Sequence, residues 1–190
     1  MEEINKYDLF TTQMTNENEY KLSDIRRYNG KVVIKEENVA EHSFYTVLNV
    51  LRICEFFDVD HDITFKLMAI AAVHDLSEYL VGDIPFEFKI DNPEIMKMFE
   101  QCEIQILHQQ YKDNPYILGL LGWTYIDIPI IKLADEMCAW QYATREINLG
   151  SKHSEIYRIW EEAEDRVRVG FEIIQKQIEN GEDLLNGNLN

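Results

Sequence analysis

The chain is short of residues that interrupt regular structure, with 8 glycines and 4 prolines in 190 positions. Long stretches between them carry apolar residues at helical spacing, which argues against a turn-rich β-sandwich or barrel and for an all-α protein. Cysteine is scarce as well. Cys54, Cys102 and Cys138 are odd in number and form no CxxC pair. A zinc finger and a disulfide framework are therefore excluded, and buried reduced thiols in a cytoplasm fit better. No apolar run approaches the roughly 20 residues needed to cross a bilayer. The opening MEEINKYD is polar and acidic, unlike a secretory signal, so the expectation is a soluble, cytoplasmic protein. Positive charge is also short. The 18 Lys and Arg against 35 Asp and Glu leave a net charge of -17. That balance excludes a nucleic-acid-coating protein and one that binds anionic membranes, because both need a basic surface. The acidity is spread along the chain among aromatics, which argues against disorder.

The length suits one domain spanning 1–190, large enough to bury a core without staples. A short docking helix built on Tyr7, Leu9, Phe10 and Met14 is expected first, then a second from about Asn18 to Tyr28, broken by Asn29-Gly30. Lys31 to Glu41 reads as a charged loop, and the next helix as running from about Ala40 to Asp58 with Val47, Leu48, Val50, Leu51 and Cys54 on its apolar side. The central helix is expected over about Ile63–Val81, followed by a loop carrying Phe86, Phe88 and Lys89. Asn92-Pro93 and Asn114-Pro115 each open a helix, reaching about Tyr111 and Leu121. Further helices are expected from Ile128 to Leu149, closed by Gly150, and from Ser154 to Glu179 with Trp160, Val167, Phe171, Ile174 and Ile178 as core stripe. The acidic cluster Glu161, Glu162, Glu164 and Asp165 reads as a solvated face, and the tail from Gly181 as frayed. Five of the basic residues crowd into one segment: Lys21, Arg26, Arg27, Lys31 and Lys35. In so acidic a chain that suggests a local anion site.

The stretch HDLSEYLVGDIP, His74 to Pro85, stands out because an apolar run leads straight into an imidazole and two carboxylates. Unpaired buried charge is heavily penalised, whereas a metal ion absorbs it. His42, His74, Asp75 and Asp135 lie on three expected helices and form a mixed imidazole and carboxylate set, suited to a borderline divalent ion such as Mn, Co, Fe or Zn. His74 and Asp75 diverge by about 100° on an ideal helix, so they converge only on an ion near its end. Each histidine alone is more often structural than a ligand; the joint pattern is the signal.

ENVAEHS (Glu37 to Ser43), HDLSEYLVGDIP and KLADEMCAW (Lys132 to Trp140) together resemble the HD-domain metal-dependent phosphohydrolases, and more narrowly the bacterial 5'-deoxynucleotidase branch. The likeness runs from about Arg26 to Tyr142 and leaves the first fifteen residues and the final helix without a matching motif. It implies a helical HD domain in which His42, His74, Asp75 and Asp135 bind one divalent cation (Co, Mn, Fe, Zn or Mg). It implies a catalytic Glu78, an active-site Asp83 counted with the catalytic groups, and an Arg27 that holds phosphate. Tyr28 stands where the branch has a tryptophan beside the sugar, a departure that touches deoxyribose selectivity and base preference. Lys89, more than Lys31 or Lys35, is expected to add positive potential for the substrate. Binuclear relatives need further histidines between the His-Asp pair and the last aspartate; only His108 lies there, so one metal is expected, with His61 and His153 simply exposed in turns. The implied activity is removal of the 5'-phosphate from deoxyribonucleoside monophosphates by a homodimer or higher homo-oligomer. A triphosphohydrolase on the same fold, and a non-enzymatic helical module with a structural metal, are the alternatives. The first would need several basic groups beyond Arg27; the second has no use for Glu78.

Overall fold

Proline opens three of the helices, at the first position, where a missing N–H costs nothing. The computed structural model describes residues 17–185. It is all-α: α1 (Glu17–Tyr20) continued by a 3₁₀ turn (Lys21–Ser23), α2 (Val39–Phe56), α3 (His61–Val73), α4 (Glu78–Val81), α5 (Phe86–Asp91), α6 (Pro93–Gln110), α7 (Pro115–Thr124), α8 (Pro129–Asn148) and α9 (Ser154–Asn180). The docking helix expected before Asn16 lies outside the described residues. Asn38 starts α2 with a reciprocal cap: its side chain accepts from the Glu41 N–H, and Glu41 accepts from the Asn38 N–H. Asp60 caps α3 by accepting from the N–H groups of Asp62 and Ile63. No single helix among the described residues is long and apolar enough to cross a membrane.

Two apolar clusters lie on either side of the His74 segment. The larger joins Val50, Ile53 and Cys54 of α2 to Leu67, Ile70 and Ala71 of α3, Ile130, Leu133 and Ala134 of α8, and Ile174 of α9. The smaller joins Leu22, Val39, Leu76, Leu107, Tyr111 and Leu121. Each fully buried Leu, Ile or Val contributes about 1.5–3 kcal/mol from area alone, so the larger cluster anchors the helices that bear the polar residues. Gly170 lets α9 lie close on α8, since a Cβ there would sit 3.2 Å from Leu133 Cδ1.

A polar seam sets the register of α2 on α8. Asn49, fully buried, donates to Ala134 O (3.2 Å) and Gln141 Oε1 (3.2 Å) and accepts from Gln141 Nε2 (3.1 Å). Thr46, one turn earlier, contacts Cys138 Sγ at 3.4 Å. Apolar contacts alone would let the helices slide. Buried amides with fixed partners do not, because an unpaired one costs about 1–3 kcal/mol.

Three segments depart from the sequence expectation. The segment 18–28 is helical only as far as Ser23, because Arg27 N–H donates to Glu37 O (2.9 Å) and Val39 N–H to Ile25 O (3.0 Å). Those pairings take the groups a helix would use, and Tyr28 adopts a left-handed φ of 57°. The central helix stops at Val73 instead of running to Val81; residues 74–77 are turns tightened by i→i+3 bonds such as Leu76 N–H to Val73 O (3.1 Å). Residues 86–91 form α5 rather than a loop. Leu51, Cys102 and Phe171 are exposed, not core; Phe171 packs beside Phe56 and Phe57 at the surface instead. Trp160 and Val167 are only half-buried, as is His153, expected to be fully exposed.

The loop before α2 is pinned to α8 by groups one turn apart. The fully buried Glu146 carboxylate accepts from Ile34 N–H (2.6 Å) and Lys35 N–H (2.7 Å), and Tyr142 Oη donates to Lys35 O (2.8 Å). Glu146→Ala strands both amides and is expected to destabilise the protein by about 2–4 kcal/mol, whereas Glu146→Gln, which keeps one acceptor, loses less. Urea midpoints of the two variants check this; equal losses would show that the acceptor atoms are not what counts.

Candidate active site

The break after Val73 is what brings the central residues together. His74 sits at the C-cap of α3, where the last carbonyls lack helical partners, and its Nδ1 lies 2.7 Å from Ala71 O. The carbonyl can only accept, so Nδ1 keeps its proton and donates it to Ala71 O, which leaves Nε2 of the neutral ring as the lone pair. Asp75 leaves the helical path, so its Oδ2 reaches both imidazoles, 3.3 Å from His74 Nε2 and 3.2 Å from His42 Nε2. Asp135 Oδ1 approaches His42 Nε2 from α8 at 3.0 Å. His42, His74 and Asp135 each offer a ligand atom within 4.8 Å of the others. The structure thus brings three of the four expected ligand residues within mutual reach, with Asp75 beside both imidazoles.

The donor set fits a divalent cation. Nε2 of His42 and Nε2 of His74 are buried, and among the described residues neither has an aligned hydrogen-bond partner despite the carboxylate oxygens about 3 Å away. Ring nitrogens and carboxylate oxygens converging on one centre, without donors aimed at acceptors, are the arrangement of metal ligands. His42 is fully enclosed, while the side chains of Asp75 and Asp135 are 21% and 43% exposed, so the cluster is open on the carboxylate side.

Charge is tightly coupled here. Burial and Arg27 oppose a proton on His42, but the Asp135 and Asp75 carboxylates outweigh them and hold the imidazole well above its ordinary range. Burial alone would raise Asp75 and Asp135; instead His74, His42 and Arg27 pull Asp75, and His42 and Arg27 pull Asp135, below the carboxylate range. Glu78, 9% exposed at the start of α4, moves the other way: burial, then Asp75 and Asp83, push it up to about 9, against Arg27 and Lys89. Glu78 reaches this position through the intervening turn, not by sharing a helix face with His74.

Arg27 and Tyr28 lie on the hairpin before α2 and face a cavity of about 170 Å³, also lined by Asp83, Lys89 and Asp135. The Arg27 guanidinium stands 5.6 Å from the centre of the Tyr28 ring, and its buried Nη1 donates to no acceptor among the described residues. Tyr28 stacks on Tyr142 at 4.2 Å with ring planes 9° apart, and Asp83 Oδ2 accepts the Tyr28 N–H at 3.2 Å. Lys31 reaches the same cavity but pairs with Glu155 (3.4 Å); Lys35 lines neither this cavity nor the next. A second cavity of about 440 Å³ opens on the other side of Asp135, walled by His74, Asp75, Glu100, Glu103, Trp123 and Tyr125 among others. His108 and His61 line neither.

Several groups at the site escaped the sequence reading. Glu37 is 7% exposed with an unpartnered carboxylate oxygen; burial raises its pKa against the pull of Arg27 and His42. Its position at the head of ENVAEHS was the available signal. The final helix, which carries no motif, walls the first cavity with Ile159, Glu162 and Arg166, the last donating from Nε to Glu136 at 2.7 Å. Glu162 therefore belongs to a cavity wall rather than to a plain solvated face. Only the spacing 159, 162, 166 hinted at it.

A proton held by Glu78 makes stability depend on pH in the metal-free protein. Its folded pKa lies above the ordinary 4.5, so the stabilising contribution is complete below pH 4.5 and is lost as pH rises toward 9. Glu78→Gln, which cannot ionise, is expected to raise the melting temperature at pH 8 and to match the parent near pH 4.5. Thermal melts in chelator check it, and an equal shift at both pH values would refute it.

Known proteins share this architecture. A solved HD-domain phosphohydrolase from Listeria innocua superposes with a TM-score of 0.65 at 21% identity, covering 92% of each chain. The cyanophage S-2L HD phosphohydrolase, whose structure holds dA and one catalytic Zn2+ ion, superposes with a TM-score of 0.65 at 19% identity over 80% of this chain and 81% of that one. These likenesses establish the fold. In sequence, the chain is 28% identical over 130 residues to a 5'-deoxynucleotidase of Vibrio vulnificus, a match spanning 62% of this chain and 66% of the relative. It is 26% identical over 142 residues to one from Photobacterium profundum, spanning 69% and 73%. The model of the family described as 5'-deoxynucleotidase YfbR-like matches residues 19–170. That match runs from α1 into α9 and encloses the hairpin, the imidazoles and every carboxylate described above, so the chain belongs to the YfbR-like 5'-deoxynucleotidase family.

Proposed function

We propose that this protein is a metal-dependent phosphomonoesterase that removes the 5'-phosphate from deoxyribonucleoside monophosphates. The observation that carries the reading is the pairing of two buried imidazole Nε2 atoms, of His42 and His74, with a buried Arg27 Nη1, none of which has an aligned partner among the described residues. The first set fits a cation and the second an anion, at neighbouring points. His42, His74, Asp75 and Asp135 would hold one divalent ion, which supplies Lewis-acid chemistry by drawing the pKa of water from about 15.7 toward 7.

Hydrolysis forms a P–O bond to the water oxygen, breaks the bond from phosphorus to O5', and delivers the water's proton to O5'. Glu78 would give its own proton to O5' and take one from the water; a buried carboxyl with one oxygen unpartnered among the described residues and a pKa of about 9 before any cation is bound supports this reading. Arg27 grips phosphate oxygens and balances their charge. Tyr28, fixed face to face against Tyr142, borders the sugar and crowds a ribose 2'-hydroxyl. Lys89 adds positive potential from the same cavity wall. A monophosphate suits the walls better than a triphosphate. Beyond Arg27 and Lys89, the cavity's cations Lys31 and Arg166 are engaged by Glu155, Glu136 and Glu162, and the second cavity presents Glu100 and Glu103. A cytoplasmic setting, a homo-oligomeric assembly and no nucleic-acid partner belong to the same proposal, supported by the acidic composition and the family.

Phosphate release from matched mono- and triphosphates with added Co, Mn, Zn or Mg tests the reading. Activity is expected on deoxyribonucleoside monophosphates and to vanish on chelation and in Asp75→Ala; full turnover by the chelated protein would overturn it. Arg27→Ala is expected to lower kcat/KM on every nucleotide, the phosphate being common to all. Tyr28→Ala is expected to shift the deoxy-to-ribo ratio. If both substrates lose equally, Tyr28 is packing only and selectivity lies elsewhere.

A further inference from the structure

Asp83 stands in the cavity beside the proposed phosphate and sugar groups, but among the described residues its hydrogen bond goes to neither Arg27 nor Glu78. Its Oδ2 accepts the backbone N–H of Tyr28 at 3.2 Å, across 55 residues of chain. The backbone on each side is arranged for that contact. Gly82 ends α4 with φ 79° and ψ 175°, a conformation that side-chain-bearing residues avoid, and so turns Asp83 away from the helix path. Tyr28 takes φ 57°, rare for an aromatic, and its carbonyl accepts from Lys31 N–H at 2.9 Å to close the hairpin turn. A left-handed tyrosine needs its surroundings to over-determine it. Stacking on Tyr142 holds the ring, the Glu37 carbonyl holds the preceding amide at Arg27, and the Asp83 carboxylate holds the amide of Tyr28 itself.

We infer that Asp83 is a positioning residue: it latches the Arg27–Tyr28 hairpin to the segment after His74 and so aims the phosphate-binding guanidinium at the imidazole and carboxylate cluster. The latch joins the two pieces of the site that no helix connects. Hairpin and HD segment also meet through the small apolar cluster around Leu22 and Leu76, which carries no directional bond. Asp83 then acts through an acceptor oxygen, not through its charge or a proton. This inference rests on the phosphohydrolase reading for its effect on activity, but the latch itself can be read without any substrate.

The acceptor and the charge are separable because asparagine keeps a side-chain carbonyl and loses the charge. Asp83→Ala is expected to lower kcat/KM for deoxyribonucleoside monophosphates by roughly 10²-fold, the usual effect of an ångström-scale misplacement, with bound metal unchanged by elemental analysis. Asp83→Asn is expected to stay within about threefold of the parent, since the latch persists. In an Arg27→Ala background the further loss from Asp83→Ala is expected to disappear, because a latch has nothing left to aim. Asparagine as damaging as alanine, or losses that multiply in the double variant, would overturn the inference and make Asp83 a charge or proton group. Hydrogen exchange separates this from the activity itself. The peptide spanning residues 25–31 is expected to deuterate faster in Asp83→Ala than in the parent or Asp83→Asn, and identical exchange in all three refutes the latch. If the parent releases no phosphate from any nucleotide while that exchange pattern holds, the proposed activity fails and the latch stands.

Discussion

The contact between α2 and α8 is the constraint on which the site depends. His42 and Asp135 belong to segments almost a hundred residues apart, and their 3.0 Å approach follows from where one helix stops sliding on the other. The Asn49 and Gln141 amides, Thr46 and Cys138 fix that position with directional groups in an interior that would otherwise be aliphatic. Buried polar groups cost stability unless paired, so the seam tolerates one register and penalises its neighbours. The same face of α8 then serves three ends in sequence: Asp135 at the cluster, Tyr142 under the Tyr28 ring, and Glu146 holding the loop.

Against that frame, the centre is arranged at the expense of stability. Two imidazoles, two carboxylates, Glu78, Glu37 and Arg27 share a volume in which each desolvates the others. The signs of the pKa shifts record the conflict: Asp75 and Asp135 are held ionised by their cationic neighbours, while burial outweighs the pull of Arg27 on Glu78 and Glu37 and pushes both toward the neutral form. A cation at the centre relieves the first pair of the need for a proton on His42. Metal uptake in such a cluster is therefore coupled to proton release. Arg27 remains charged throughout, because Tyr28 and the carboxylates of Asp135, Asp75 and Asp83 outweigh the cost of its burial.

Helix α9 shows how a region without a motif becomes part of a site. Its apolar side is selected by packing on α8, with Gly170 permitting the close approach, and that packing carries Ile159, Glu162 and Arg166 to the rim of the cavity. The Arg166–Glu136 pair, at 2.7 Å, ties the wall to the residue next to Asp135. Variation in this wall would alter the cavity's far end and leave the cluster intact.

The all-α class, most of the long helices and the members of the cluster were legible in the amino-acid sequence, because helical periodicity is local and because HDLSEYLVGDIP, ENVAEHS and KLADEMCAW carry uncommon combinations of residue types. The break at His74 was not legible. The run from Ile63 to Val81 has the pattern of one helix, and only the pull of Ala71 O on His74 Nδ1 and of Asp75 toward two imidazoles ends it early. Nor was the hairpin legible, since residues 24–28 pair with residues 37–39, and local propensity holds no record of a distant partner. Asp83 could be picked out from its neighbours in sequence, but its bond to the Tyr28 amide exists only once chain segments 55 residues apart are brought together. Sequence alone determined which chemical groups this protein carries and which stretches wind into helices, since both depend on near neighbours. Which lone pairs meet, which carboxyl keeps its proton and which loop is held against the cluster were decided by tertiary packing, because each depends on distances that the order of residues does not contain.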